Sequence, residues 1–174
     1  YIYRIPEGKS VRLIVNIVAK TEGADQYAIV HALLSPKFDN RGVIAAHFGN
    51  EKSSHSMEDS YEEVKKLLGL LYFPEKLAYK GAASQIPDEK TPVESEGARL
   101  IIEEAMKESD VPLYVIFLGP LTDMASAYLM EPRIANRLTC IWIGGAKYPE
   151  GGYEYNLNND IRAARVVMNS EIPV

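Results

Sequence analysis

Four short apolar runs constrain this chain most: "VRLIVNIVA" (Val11–Ala19), "RGVIAAHFG" (Arg41–Gly49), "PLYVIFLG" (Pro112–Gly119) and "LTCIWIGG" (Leu138–Gly145). The first is β-rich and almost continuously apolar, which suits a strand covered on both faces. Between the runs the period becomes helical. From Asp25, a good helix-starting residue, Ile29, Val30, Leu33 and Leu34 recur at helical spacing until Ser35-Pro36 ends the segment. The spacing predicts further helices over 60–72, 93–107, 121–129 and 161–168; in the first of these Tyr61, Val64, Leu67, Leu68 and Leu71 form the apolar face. Residues 73–92, rich in Pro, Gly, Lys and Ser, read as a long surface connection. Strands alternating with helices imply an α/β fold: a doubly wound, mostly parallel sheet with helices on both faces.

Ligands of such sheets bind beyond the carboxyl ends of the strands. The loops over 19–25, 47–51, 118–122 and 144–160 should therefore share one rim. The first, within "VNIVAKTEGADQYAIVHALLSP", carries one aspartate, Asp25, with Glu22 beside Gly23. That is sparse for a catalytic loop. No GxGxxG follows the first strand and no GxSxG is present, which argues against a dinucleotide fold and an elbow-type serine hydrolase.

A length of 174 residues fits one domain, 1–174, and 47% hydrophobic content suits a buried core. The net charge of -5 argues against nucleic acid and anionic membranes, because the pairs Lys65/Lys66 and Arg162/Arg165 are too small for a basic face and read as solvated helix surfaces. No apolar run reaches membrane-spanning length. The single cysteine, Cys140, lies in an apolar strand and reads as a packed thiol. A soluble protein is expected, cytoplasmic or exported; a homo-oligomer stays open.

Taken together, "AIVHALLSPKFDNRGVIAAHFGN", "VIFLGPLTDMASAYLMEP", "IWIGGA" and "EYNLNNDIRAA" resemble the inosine-uridine preferring nucleoside hydrolases, in order and over most of the chain. The resemblance implies a calcium-dependent N-ribohydrolase, a glycosidase acting on a small nucleoside or related sugar. An aspartate-rich first loop would hold Ca²⁺, one carboxylate would activate water, and ribose hydroxyls would complete the metal shell. It assigns Asp25 to catalysis and to the metal, the Leu118 carbonyl to the metal, and Asn50, Glu154 and Asn156 to the substrate. The family's upstream aspartate falls on Lys20 or, for a longer turn, on Val18, and the first of its paired aspartates on Ala24. A lysine ammonium could stand in for the ion, and Glu22 could reach inward. Asp123 takes the place of the family's usual asparagine. The family's later aspartate and histidine have no match before Val174, so the family's C-terminal part is expected to be lacking.

Each residue also has a plainer reading. Asp25 fits a helix cap, and Asn50 after Gly49 fits a turn. Glu154 and Asn156, two apart in an extended segment, would point the same way. Asp160 reads as the cap of the last helix and His47 as a satisfied core histidine, with His31 and His55 structural or exposed; Trp142 reads as core. The alternative to an enzyme is a non-catalytic sugar-binding or interaction module of the same fold.

Overall fold

The computed structural model describes residues 8–21 and 23–174. Five strands, β1 (Val11–Ile17), β2 (Phe38–Ala45), β3 (Ala78–Lys80), β4 (Leu113–Leu118) and β5 (Thr139–Trp142), form one sheet in the order β3-β2-β1-β4-β5. Every adjacent pair is parallel. The helices are α1 (Gly23–Leu34), α2 (Ser56–Leu70), α3 (Glu96–Met106), α4 (Thr122–Met130), α5 (Tyr155–Asn159) and α6 (Ile161–Met168).

Side-chain alternation along β1 divides the core in two. Leu13, Val15 and Ile17 pack with Ile29, Ala32 and Leu33 of α1 and Val64, Leu67 and Leu68 of α2. Ile14 points the other way, with Val115 and Phe117, into a cluster closed by α3, α4 and α6. Successive strand side chains face opposite sides of a sheet, so a central strand covered on both faces is mostly apolar. Helices do cover both faces, and the doubly wound reading holds. Close approach of α3 depends on Gly97, where an added Cβ would meet Ile44 Cγ2 at 2.4 Å. Overpacking of that kind would push the helix off the sheet.

Several boundaries differ from expectation. The first strand ends at Ile17 rather than Ala19, and β2 begins three residues earlier than Arg41 and stops at Ala45. The helix expected over 60–72 begins at Ser56, because Ser56 and Met57 are buried and extend its inner face. Within the supposed surface connection, Ala78–Lys80 pairs with β2 as an edge strand and Ile86 is fully buried. Helix α1 starts at Gly23, so Asp25 stands in its first turn rather than at its cap.

The strands end in register. Ile17 is paired with Ala45 on one side and Leu118 on the other, and Phe117 with Trp142. All the expected loops therefore emerge at the carboxyl edge. Among the described residues, no helix is long and apolar enough to cross a membrane.

Candidate functional site

Where β1, β4 and β5 end, a cavity of about 400 Å³ is lined by Val18, Thr21, Ala24, Asp25, Ala28, Leu118, Ile143, Glu154, Tyr155 and Asn156. Four of the residues assigned from the sequence, Asp25, Leu118, Glu154 and Asn156, meet there. Asn50 does not: it is exposed and opens, with His47, Ser84 and Asn159, onto a neighbouring cavity of about 390 Å³.

Asp25 is half-buried at the mouth of the first loop, with the Thr21 hydroxyl 3.5 Å from Oδ2. Thr21 was not among the expected residues; its only signal was a hydroxyl four residues before Asp25.

The segment carrying Glu154 and Asn156 is not extended, as expected, but opens α5. Glu154 is its N-cap: Oε1 accepts the Asn156 N–H at 2.9 Å, and Oε2 accepts those of Leu157 and Gly145, each at 2.9 Å. An oxygen side chain that satisfies free amides lets so short a helix form. Oε1 retains a lone pair for a further donor. Asn156 donates from Nδ2 to the Ile143 carbonyl at 2.9 Å, which ties α5 to the end of β5. Tyr155 closes the wall by donating to the Phe48 carbonyl at 3.3 Å.

The described residues do not fit Ca²⁺. That ion takes six to eight oxygen ligands, about 2.3–2.6 Å away. The cavity offers the Asp25 carboxylate and the Leu118 carbonyl, while the Glu154 oxygens already hold three backbone amides. Val18 and Ala24 line the wall; by the resemblance a carboxylate would stand at Ala24 and, for the longer turn, at Val18. Lys20 does not take the ion's place, because its ammonium turns outward to Asp59 Oδ1 on α2, 3.1 Å away. Glu22 lies outside the described residues. Among those described, no three His, Cys, Asp or Glu side chains are grouped as a metal would need.

Behind the cavity run two buried polar networks that sequence reasoning did not connect. Gly49 N–H donates to His47 Nδ1 at 3.4 Å, which leaves the proton on Nε2; Nε2 donates to Thr122 Oγ1 at 2.8 Å, and that hydroxyl donates to Asp160 Oδ2 at 2.8 Å. Asp160 also accepts the amides of Ile86 and Ala163, so it caps α6, as expected, while joining three other segments. Burial holds the His47 imidazole below its ordinary value, against the pull of the Asp123 and Asp160 charges. It is the satisfied core histidine expected.

In the second network Asp123 accepts from Asn16 Nδ2 at 2.7 Å, the Ala82 amide at 2.9 Å and the Ser95 hydroxyl at 2.6 Å. Burial pushes its carboxyl up, although those hydrogen bonds oppose the shift. The signal for this hub was Asn16, a lone amide inside an apolar strand. Cys140 is a packed thiol pushed up to about 12 by burial, and Trp142, half-buried, donates from Nε1 to the Gly119 carbonyl at 3.0 Å.

A parallel α/β sheet with a cavity of about 400 Å³ at its carboxyl edge defines the class of protein. The model of the inosine-uridine preferring nucleoside hydrolase family matches residues 21–174, and the chain belongs to that family. A pyrimidine-specific ribonucleoside hydrolase, RihB, of Escherichia coli (strain K12 / DH10B) is 33% identical over 85 residues, 47% of this chain and 27% of that protein. Among solved structures, a purine-preferring ribonucleoside hydrolase from Gardnerella vaginalis superposes with a TM-score of 0.74 at 20% identity, over 94% of this chain and 59% of the other. An inosine-uridine preferring nucleoside hydrolase from Bacillus anthracis gives 0.64 at 18% identity, over 93% and 62%. The chain thus spans about three-fifths of those solved relatives, and its fold is theirs.

Proposed function

We propose that the cavity at the ends of β1, β4 and β5 takes a nucleoside or a related ribosyl ligand, and that the chain acts on it as an N-ribosyl hydrolase. One observation carries the reading: Asp25, Leu118, Glu154 and Asn156, distant in sequence, line one hollow. About 400 Å³ lies within the range of small-molecule sites.

In this reading Glu154 Oε1 and Asn156 Oδ1 accept from ribose hydroxyls, and the apolar wall of Val18, Ala24, Ala28 and Ile143 packs against a ring. Asp25 accepts the proton of the attacking water as the bond from C1′ to the base nitrogen breaks and positive charge builds on the ribose ring. The new C1′–O bond completes hydrolysis; the departing base nitrogen takes a proton from solvent, and Asp25 returns to solvent the one it accepted.

The test is turnover of uridine and inosine by the full chain and by Asp25→Asn. General-base catalysis is worth about 10²–10⁴-fold, so the variant should lose at least about a hundredfold in rate. Unchanged turnover in the variant would remove Asp25 from the mechanism. Nucleoside binding without turnover in the parent chain would leave the pocket a ribosyl-binding module.

A further inference from the structure

At the opposite edge of the sheet, where β1, β4 and β5 begin, a second cavity of about 490 Å³ lies beside the end of α3. Its walls carry three cations, Arg12, Lys107 and Arg137, against one carboxylate, Glu108. This is unusual in a chain with a net charge of -5.

Arg12 is only 7% exposed. A buried guanidinium calls for acceptors on all its N–H groups. Its Nε donates to the Val111 carbonyl at 2.9 Å and Nη1 to the Glu104 carbonyl at 2.7 Å; Nη2 has no acceptor among the described residues and stays open to solvent, free to take one from a ligand. The one buried carboxylate nearby, Glu104, is 3.5 Å from Arg12 and is shared with Arg41 and Lys107. Arg41 has Asp39 as well. Burial works to raise the Glu104 carboxyl, but hydrogen bonds from Lys107 and Arg41 outweigh it, so the group stays charged and committed. Among the described residues Arg137 is held only by Glu108, 3.5 Å away on a side chain 95% exposed. Such a pair is worth little in water and yields easily to a better partner.

The hollow therefore has more donors than acceptors, with the Asn136 amide and Thr139 hydroxyl also on its wall. We propose that it is a binding site for a small phosphate monoester, with Arg12 and Arg137 receiving the phosphate oxygens and Lys107 adding charge. A planar guanidinium matches phosphate geometry, and the volume leaves room for a small polar body beyond the phosphate. The site is separate from the nucleoside cavity and stands or falls without it.

The experiment titrates the full chain with inorganic phosphate, glucose 6-phosphate and neutral glucose, by calorimetry and by amide chemical shifts. Both phosphates should bind and glucose should not, with shifts at Ser109, Leu113 and Thr139. Arg137→Gln and Lys107→Gln, both at the surface, should each weaken binding roughly tenfold, and added salt should weaken it further. No binding of either phosphate, equal affinity in both variants, or shifts at Thr21 and Ala24 instead would each overturn the assignment.

Discussion

Replacing Glu154 by alanine removes the acceptor of three backbone amides at once, those of Gly145, Asn156 and Leu157. Loss of an N-cap costs about 0.5–2 kcal/mol. The Gly145 amide, which pins the loop after β5, adds about 1 kcal/mol. The sum is about 1.5–3 kcal/mol. With a urea dependence of about 2 kcal/mol per molar, the unfolding midpoint should fall by roughly 1 M. Glu154→Gln keeps one oxygen. Placed at the Oε2 position it still accepts from Gly145 and Leu157 but sets an amide nitrogen against the Asn156 N–H. It should therefore cost about 1 kcal/mol and fall between the parent and the alanine variant. Urea titrations followed by far-ultraviolet circular dichroism give the order. An alanine variant as stable as the parent, or a glutamine variant as weak as alanine, would refute the capping argument; the first result, with ligand binding lost, would make Glu154 purely a ligand contact.

Two further predictions concern the buried networks. Burial holds the His47 pKa in the folded chain below the ordinary imidazole value of about 6.5, so the unfolded chain takes up a proton first as the pH falls. Stability should be full above about pH 6.5 and decline below it, by up to about 1.4 kcal/mol per pH unit, and His47→Gln should flatten that decline in urea midpoints. Asp123 is the opposite case: its carboxyl is raised above 3.8, so its contribution is present at low pH and lost as the pH rises. Among the described residues Asn16 Oδ1 is buried without a partner. Asp123→Asn lets the Asn16 amide turn that oxygen to the new NH₂ group, so the variant should be at least as stable as the parent near neutrality, by up to about 1 kcal/mol. A loss of stability there larger than its loss in acid would contradict this account.

Much of the fold was legible because its determinants are local and repetitive. Apolar runs with β-branched residues gave four of the five strands, and helical periods gave every helix but α5. The missing strand, Ala78–Lys80, is three residues at an edge, held by its neighbour β2 rather than by its own pattern. Helix α5 was missed because "YNLNN" has weak helix propensity; its formation depends on the Glu154 cap and on the anchoring of Asn156 to Ile143. The grouping of Asp25, Leu118, Glu154 and Asn156 came from family resemblance, since spacing alone places residues along an element but not across a sheet. Lys20 was misjudged for a related reason: the acidic partner that draws it outward, Asp59, is 39 residues away.

The central claim is that a ribosyl ligand sits among Thr21, Ala24, Asp25, Glu154 and Asn156. The most direct measurement is a uridine titration followed by backbone amide chemical shifts of the full chain, repeated with Asp25→Asn. The account predicts saturable shifts at Thr21, Ala24, Asn156 and Leu157 that weaken in the variant. Absence of shifts there, or shifts confined to other surfaces, would contradict it.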